Sequence, residues 1–204
     1  MQKERMNQST EILIATGNSH KTEEIKNILG GNYAVDDLTR KDFAKVDETG
    51  TTFLENATLK AVEISKLTDQ WVLSDDSGLE VDALYGDPGV YSSRYAGEDS
   101  NDAANNAKLL AELKKLPREC SRAARFRCVI VLAKNGERMA HFSGAVEGRI
   151  IDVLSGDAGF GYDPLFIPEG YDQTFAQLPI SAKNQLSHRS MALEAALPWI
   201  NENL

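Results

Sequence analysis

The sequence has too few cysteines to depend on disulfide bonds. It contains two, Cys120 and Cys128, and its Cys and His residues do not follow the spacing of a zinc site. Cys128 lies in an apolar run, so we expect it in the core. Both cysteines are therefore expected to be reduced thiols of a cytoplasmic protein.

Long apolar runs and an excess of basic residues are also missing. No stretch is long enough to span a bilayer, and the beginning of the chain lacks the pattern of a signal sequence, so we expect no membrane partner. Acidic residues number 31 against 22 basic ones, for a net charge of -9, which argues against a nucleic-acid partner. With 204 residues, 42% of them hydrophobic, the composition is typical of one folded domain. We expect a flexible N-terminal tail at residues 1–10 and a single domain at 11–204.

The hydrophobic periodicity predicts an α/β fold. An apolar strand from Ile12 is followed by a polar turn and a helix at about 21–29. A capping box, Thr52 with Glu55, begins a second helix. The later signals are a strand at 71–74, a helix at 102–116 with Ala103, Ala107, Leu110 and Leu113 inward, a hairpin turn at Asn135-Gly136, bulges or a bend at Gly144 and Gly148, and a helix from Ser187 to about 200.

Three polar clusters fall at the ends of these predicted elements, where α/β proteins commonly bind ligands. The first consists of Thr16, Gly17, Asn18, Ser19, His20 and Lys21. Small residues at a helix N-terminus let a phosphate approach backbone N–H groups, and Lys21 adds a full positive charge. Lys60, on the second helix, is a further candidate for a phosphate contact. An ordinary N-cap formed by Asn18 or Ser19 explains the first cluster equally well.

The second cluster is the pair Asp75 and Asp76, which follows an apolar strand. Neighbouring side chains of a strand point to opposite faces, so one carboxylate can face a site while the other is structural. A carboxylate at a strand end suits a Mg²⁺ ligand or a general base, and Glu48 is a plausible second ligand. A turn rich in Asp, Ser and Gly is the simpler explanation of the same residues.

The third cluster combines a glycine-rich loop with the beginning of the last helix. Phe160, in the loop, offers an aromatic face on which a nucleobase could stack. His188 and Arg189, with Lys183 before them, place positive charge where the helix dipole disfavours it. Such an arrangement favours an anionic or carbonyl partner, although ordinary surface charge is the alternative.

Five segments in this order together resemble the inosine triphosphate pyrophosphatase family, also called the Ham1-like family. The resemblance covers nearly the whole chain, from Ile12 to about Ile200. The segments are Thr16-Gly17-Asn18-Ser19-His20-Lys21, Glu48-Thr49-Gly50-Thr51-Thr52-Phe53, Ser74-Asp75-Asp76-Ser77-Gly78-Leu79, Gly159-Phe160-Gly161-Tyr162-Asp163-Pro164 and Ser187-His188-Arg189.

The resemblance implies an elongated α/β protein with a long twisted mixed sheet flanked by helices, two lobes with an active-site cleft between them, and usually a homodimer. It implies Mg²⁺-dependent hydrolysis of the purine nucleotides ITP, dITP and XTP to the monophosphate and pyrophosphate. The implied roles are triphosphate binding by Thr16, Asn18, Lys21 and Lys60, magnesium binding by Glu48 and Asp76, proton acceptance by Asp76, a nucleotide contact by Ser77, base stacking by Phe160, a base pocket shaped by Gly161, Tyr162 and Asp163, and reading of the base edge by Lys183, His188 and Arg189.

Two other functions remain open at this point. A related pyrophosphatase with a preference for other modified nucleotides, such as pyrimidines, fits the same residues. A nucleotide-binding module without turnover fits them less well, because Lys21, Glu48 and Asp76 are all present.

Overall fold

A single six-stranded mixed sheet organises the described part of the chain, residues 10–40 and 43–204 of a computed structural model. Most of the predicted tail, residues 1–9, lies outside the described residues. The strands are β1 (Glu11–Ile14), β2 (Ala34–Asp37), β3 (Trp71–Val81), β4 (Ala123–Lys134), β5 (Glu137–Ile150) and β6 (Phe166–Pro168), in the spatial order β2-β1-β3-β4-β5-β6. β1 is parallel to both β2 and β3, and the remaining pairs are antiparallel. The predicted α/β class with a mixed sheet is confirmed.

Helices cover both faces of this sheet. They are α1 (Ser19–Leu29), α2 (Phe53–Ser65), α3 (Asp102–Lys114), α4 (Ile180–Leu186) and α5 (His188–Asn203). The predicted capping box of α2 is present, with the Thr52 side chain accepting from the Glu55 N–H and the Glu55 side chain accepting from the Thr52 N–H. Within residues 10–40 and 43–204, no helix is long and apolar enough to cross a membrane.

The β4–β5 hairpin turns at the predicted dipeptide. Asn135 and Gly136 both have positive φ angles, of 52° and 80°, as a two-residue type I′ hairpin turn requires.

Thr10, the last residue of the predicted flexible tail, is held in place. Its Oγ1 donates to the carbonyl of Leu204, at the other end of the chain, over 3.0 Å.

The apolar core falls into clusters that separate along β3. Val72 and Leu73 pack into clusters under α2 and under α1 and α5, respectively, whereas Leu79 and Val81 pack into a third cluster with α3. Between them, residues 74–78 are polar or glycine. The polar stretch of β3 therefore lies at the junction of two lobes of the core.

The placement of Asp75 and Asp76 at a strand end was wrong. β3 continues to Val81, because its antiparallel pairing with β4 runs through Asp75 and Asp76 without interruption. The neighbouring strand β1 does end there, since its last pairing with β3 joins Ile14 to Leu73. The two carboxylates therefore lie inside one strand and just beyond the end of the next.

The bulges predicted at Gly144 and Gly148 were also wrong. Both glycines pair in regular register with β4, and the irregularity of this ladder lies between Leu132 and Ala133 instead. Gly144 allows a close approach of α5, because a Cβ there would lie 2.3 Å from the His188 carbonyl oxygen. Close packing, and not a backbone irregularity, explains the missing side chain.

The predicted inner face of α3 was partly wrong. Ala103 and Ala107 are exposed, whereas Asn105 and Asn106 are buried beside the buried Leu113. Both side chains bond to the backbone of neighbouring loops, Asn105 through its amide oxygen and nitrogen and Asn106 through its amide nitrogen.

Candidate active site

On one face of β3, a lysine of α2 binds two carboxylates. The Lys60 Nζ of α2 donates to Glu48 Oε1 over 2.7 Å and to Asp76 Oδ1 over 3.0 Å. Arg94 also reaches Glu48, with 3.3 Å between Nη1 and Oε2. The second oxygen of Asp76, Oδ2, is buried and has no hydrogen-bond partner among the described residues. This side of the site therefore offers an unused carboxylate oxygen next to fixed positive charge.

Burial and charge divide the roles of these acids. Burial raises the pKa of Asp76, and the nearby Lys60 and Lys21 ammonium groups only partly offset this effect. Burial also acts to raise the pKa of Glu48, but Lys60, Lys21 and Arg94 together outweigh it, and the pKa of Glu48 is lowered. The pKa of Lys60 is raised, because Asp76 and Glu48 outweigh its own burial. Asp76 is thus the better proton acceptor, beside a lysine that keeps its charge.

Asp75 lies on the opposite face of β3, and one of its carboxylate oxygens binds two cations. Asp75 Oδ2 lies 3.1 Å from Lys21 Nζ and 3.0 Å from Arg189 Nη2, and it accepts from the Ser77 hydroxyl over 3.2 Å. Burial alone raises the pKa of Asp75, but Lys21 and Arg189 reverse the effect and lower it. The two neighbouring aspartates therefore face opposite sides, as the strand pattern predicts.

The ion pairs continue from Arg189 through a residue that the sequence analysis missed. Glu24 of α1 binds both Arg189 and Lys183, with 3.2 Å between its Oε1 and Lys183 Nζ. Lys183 Nζ also lies 2.6 Å from Asp163 Oδ2. Glu24 follows Lys21 by three residues, which places both on one face of α1, and this spacing was the available signal.

The glycine-rich loop is held from two sides. Within the loop, Asp163 Oδ2 accepts from the Phe160 N–H over 2.9 Å. From α3, Asp102 Oδ2 accepts from the Gly161 N–H over 2.6 Å, and Asn106 Nδ2 donates to the Gly161 carbonyl over 2.8 Å. The position of Phe160 is therefore set by backbone contacts on both sides of it.

Phe160 itself lies among cations. Lys183 Nζ is 4.7 Å from the centre of the Phe160 ring, and the Arg189 guanidinium carbon is 6.0 Å from it. The neighbouring Tyr162 instead turns into the core, where its hydroxyl donates to the Ser92 carbonyl over 2.9 Å.

The three residues predicted to read a base edge, Lys183, His188 and Arg189, are all buried. Arg189 is 1% exposed and pairs with carboxylates. Their negative charge offsets the unfavourable position of the guanidinium at the helix N-terminus. The His188 ring packs on Phe126 at a centroid distance of 4.9 Å, and its Nδ1 is buried without a partner within residues 10–40 and 43–204. Burial, with Arg189 and Lys183 nearby, lowers the pKa of His188 well below its usual value, so the imidazole is neutral.

The first cluster forms the N-terminal end of α1. Asn18 caps the helix, because its Oδ1 accepts from the backbone N–H groups of His20 and Lys21. The Thr16 hydroxyl accepts from the Asn18 N–H over 3.1 Å, while Gly17, Ser19 and His20 are exposed. The N-cap interpretation is confirmed, and it leaves a phosphate site at the same helix end open.

The charged side chains predicted for the site come together in one place with His20 and Phe160, whereas Tyr162 turns into the core. Contacts link the β1–α1 turn, both faces of β3, the glycine-rich loop and the start of α5. Among the described residues, no group of three or more His, Cys, Asp or Glu side chains is arranged to hold a metal. Two carboxylates with one unused buried oxygen suit Mg²⁺, which takes few protein ligands and completes its shell with water and phosphate oxygens.

Known proteins are similar in sequence to nearly the whole of this chain. The Ham1 family profile matches residues 12–199. A dITP/XTP pyrophosphatase of Desulforamulus reducens is 46% identical over 192 residues, covering 93% of this chain and 95% of that relative. A dITP/XTP pyrophosphatase of Geobacter sulfurreducens is 48% identical over 188 residues, covering 90% of this chain and 93% of that relative.

Solved structures share this fold over nearly their whole length. The Staphylococcus aureus Ham1 protein has a TM-score of 0.83 and 42% identity, and the match covers 96% of this chain and all of that one. A HAM1 protein from Coxiella burnetii has a TM-score of 0.86 and 38% identity, with 95% and 99% covered. Because the family profile matches residues 12–199 and the fold is shared with solved Ham1 proteins, this chain belongs to the Ham1 family.

Proposed function

We propose that this protein hydrolyses non-standard purine nucleoside triphosphates, namely ITP, dITP and XTP, to the monophosphate and pyrophosphate. The observation that carries the proposal is the convergence of a lysine–carboxylate group and an aromatic ring with cations on one stretch of β3. The first group suits a polyphosphate and the second a base. Relatives 46% and 48% identical to this chain are named dITP/XTP pyrophosphatases.

The lysine–carboxylate group is proposed to bind the triphosphate. Lys21 and Lys60 supply positive charge, with Thr16 and Asn18 at the helix end beside Lys21. Carboxylates already hold the ammonium groups of both lysines in place. A phosphate that binds there therefore meets positive charge without a large rearrangement of the site. Glu48 and Asp76 are proposed to hold Mg²⁺, which neutralises charge on the phosphate oxygens when bound.

Asp76 is proposed to orient the attacking water and accept its proton. The raised pKa of Asp76 suits a proton acceptor, and its buried Oδ2 has no partner in the part of the chain that the structure describes. Attack of the water oxygen on the α-phosphorus forms one P–O bond and breaks the bond to the β-phosphate bridging oxygen. Pyrophosphate leaves, and the lysines stabilise the charge that develops on it.

The aromatic end is proposed to select the base. Phe160 stacks on the purine within a pocket that Gly161 and Asp163 shape, and Lys183, His188 and Arg189 present donors to its edge. Hypoxanthine and xanthine carry an oxygen at position six, where adenine carries an amino group that donates. A buried mismatch of this kind is worth up to about 10⁴-fold in discrimination. Ser77, bonded to Arg189 and Asp75, is proposed to contact the nucleotide.

Initial rates on purified protein test the proposal. We expect ITP and XTP to be hydrolysed much faster than ATP and GTP, with pyrophosphate released and with activity dependent on Mg²⁺. A pyrimidine nucleotide that surpasses ITP by tenfold or more points to the related pyrophosphatase instead, and tight ITP binding without hydrolysis points to a binding module.

The Asp76→Asn variant tests the assigned base. It is expected to lose most turnover and to keep nucleotide binding. Asp69→Asn, the same change at an exposed position outside the site, is the matched control and is expected to keep the wild-type rate. A near-wild-type rate for Asp76→Asn rules out Asp76 as the base.

We further propose that the protein is a cytoplasmic homodimer that needs neither nucleic acid nor a membrane. The support is the resemblance of the five segments to a family that is usually dimeric, together with the net charge of -9. Light scattering coupled to size-exclusion chromatography measures the mass directly, and a mass near 22.4 kDa contradicts the dimer.

A further inference from the structure

The side chain of His20 lies against the aromatic loop. Its ring and that of Phe160 are 5.6 Å apart between centroids and 15° from parallel. His20 belongs to the β1–α1 turn, whose other residues suit a phosphate, and its side chain is exposed. The contact therefore joins the proposed phosphate end of the site to the proposed base end.

His20 and its neighbour Lys21 point in different directions. Successive residues of a helix are about 100° apart around its axis. Lys21 extends to the carboxylate of Asp75 on β3, 3.1 Å away, whereas the His20 ring reaches the glycine-rich loop. The backbone N–H of His20 is already used by the Asn18 cap. Nothing in this arrangement directs the imidazole toward the phosphate-binding lysines.

We propose that His20 is a base-contacting residue, whose imidazole forms a second aromatic surface beside Phe160 for the purine ring. The inference rests on the proposed function and names a further binding residue for it. A planar base that packs on Phe160 meets His20, because the two rings are neighbours and nearly parallel. Phe160 is fixed by Asp163 and by α3, whereas His20 is exposed and free to adjust to the base.

Two ligands separate a base contact from a phosphate contact. One is an ITP analogue with a nitrogen in place of the oxygen between the α- and β-phosphates, which binds without hydrolysis, and the other is inorganic tripolyphosphate, which has no base. Calorimetric titration gives the dissociation constant of each. His20→Ala is expected to weaken binding of the analogue about five- to tenfold and to change that of tripolyphosphate less than twofold.

Two further variants sharpen the test. His20→Phe keeps a ring and is expected to restore binding of the analogue to within twofold of the wild type. Asn27→Ala, at an exposed position of α1 away from the site, is the matched control and is expected to bind both ligands as the wild type does. Since His20 is exposed, all these variants are expected to fold, and thermal melting checks this.

Three outcomes overturn the inference: an equal loss for both ligands, which makes His20 a phosphate contact; no loss for the analogue; or no rescue by phenylalanine. Failure of the proposed function is distinguishable from these, because it appears in the wild type as an absence of ITP hydrolysis. Normal ITP turnover in the wild type together with unchanged binding by His20→Ala refutes only the role of His20.

Discussion

Replacing Arg189 by alanine is expected to lower the free energy of unfolding by about 3 kcal/mol. Arg189 is 1% exposed, and its Nε and Nη2 donate to Asp75 Oδ2 over 3.2 and 3.0 Å. It also binds Glu24. Removing one partner of a buried ion pair costs about 3–5 kcal/mol, because it leaves a buried charge uncompensated. Here each carboxylate keeps one cation, Lys21 for Asp75 and Lys183 for Glu24, so we expect the lower end of that range.

Urea unfolding followed by circular dichroism measures this loss. Arg127→Ala is the matched control, since Arg127 pairs with Glu80 over 2.8 Å but its side chain is 49% exposed. An exposed pair contributes about 0–1 kcal/mol, so the control should change little. If Arg189→Ala costs less than about 1 kcal/mol, or no more than the control, the reasoning about the buried ion pairs is refuted.

The same variant has a separate functional readout. Arg189→Ala is expected to erode the preference for ITP over ATP more than it erodes ATP hydrolysis, because Arg189 is proposed to donate to the oxygen at position six. The ratio of kcat/KM for ITP and ATP measures this preference. An unchanged ratio means that other residues read the base.

Three further substitutions or labels test the packing around the site. Asn106→Ala should raise KM for ITP about fivefold, because it removes a hydrogen bond of about 1 kcal/mol from the glycine-rich loop that carries Phe160. Asn105→Ala, the control, removes bonds to a different loop and should change KM less. Equal changes in KM contradict the role of Asn106. Gly144→Ala should lower the free energy of unfolding by about 1–3 kcal/mol in urea unfolding, since its Cβ has no room beside the last helix, and a neutral effect means that this helix shifts easily. Cys128 should resist a thiol reagent at pH 8 in the folded protein while Cys120 reacts, because burial raises the pKa of Cys128 to about 12; two reactive thiols without denaturant contradict the buried position.

Local signals predicted the elements of the fold well. The capping box at Thr52 and the hairpin turn at Asn135-Gly136 are both present, because each depends on residues close in sequence. The errors came where distant segments meet. Gly144 is explained by the approach of α5, and the burial of Asn106 by the loop that it holds, and neither partner is near in the sequence.

The sequence by itself determined which chemical groups are available and which motifs carry them, including the division of Asp75 and Asp76 between opposite faces of a strand. That division follows from backbone geometry alone. Only the tertiary structure decided that the aspartates lie inside β3, that Glu24 joins Arg189 to Lys183, and that His20 meets an aromatic ring. The physical reason is that ion pairs and ring contacts depend on distances across the sheet, which residue spacing along the chain does not specify.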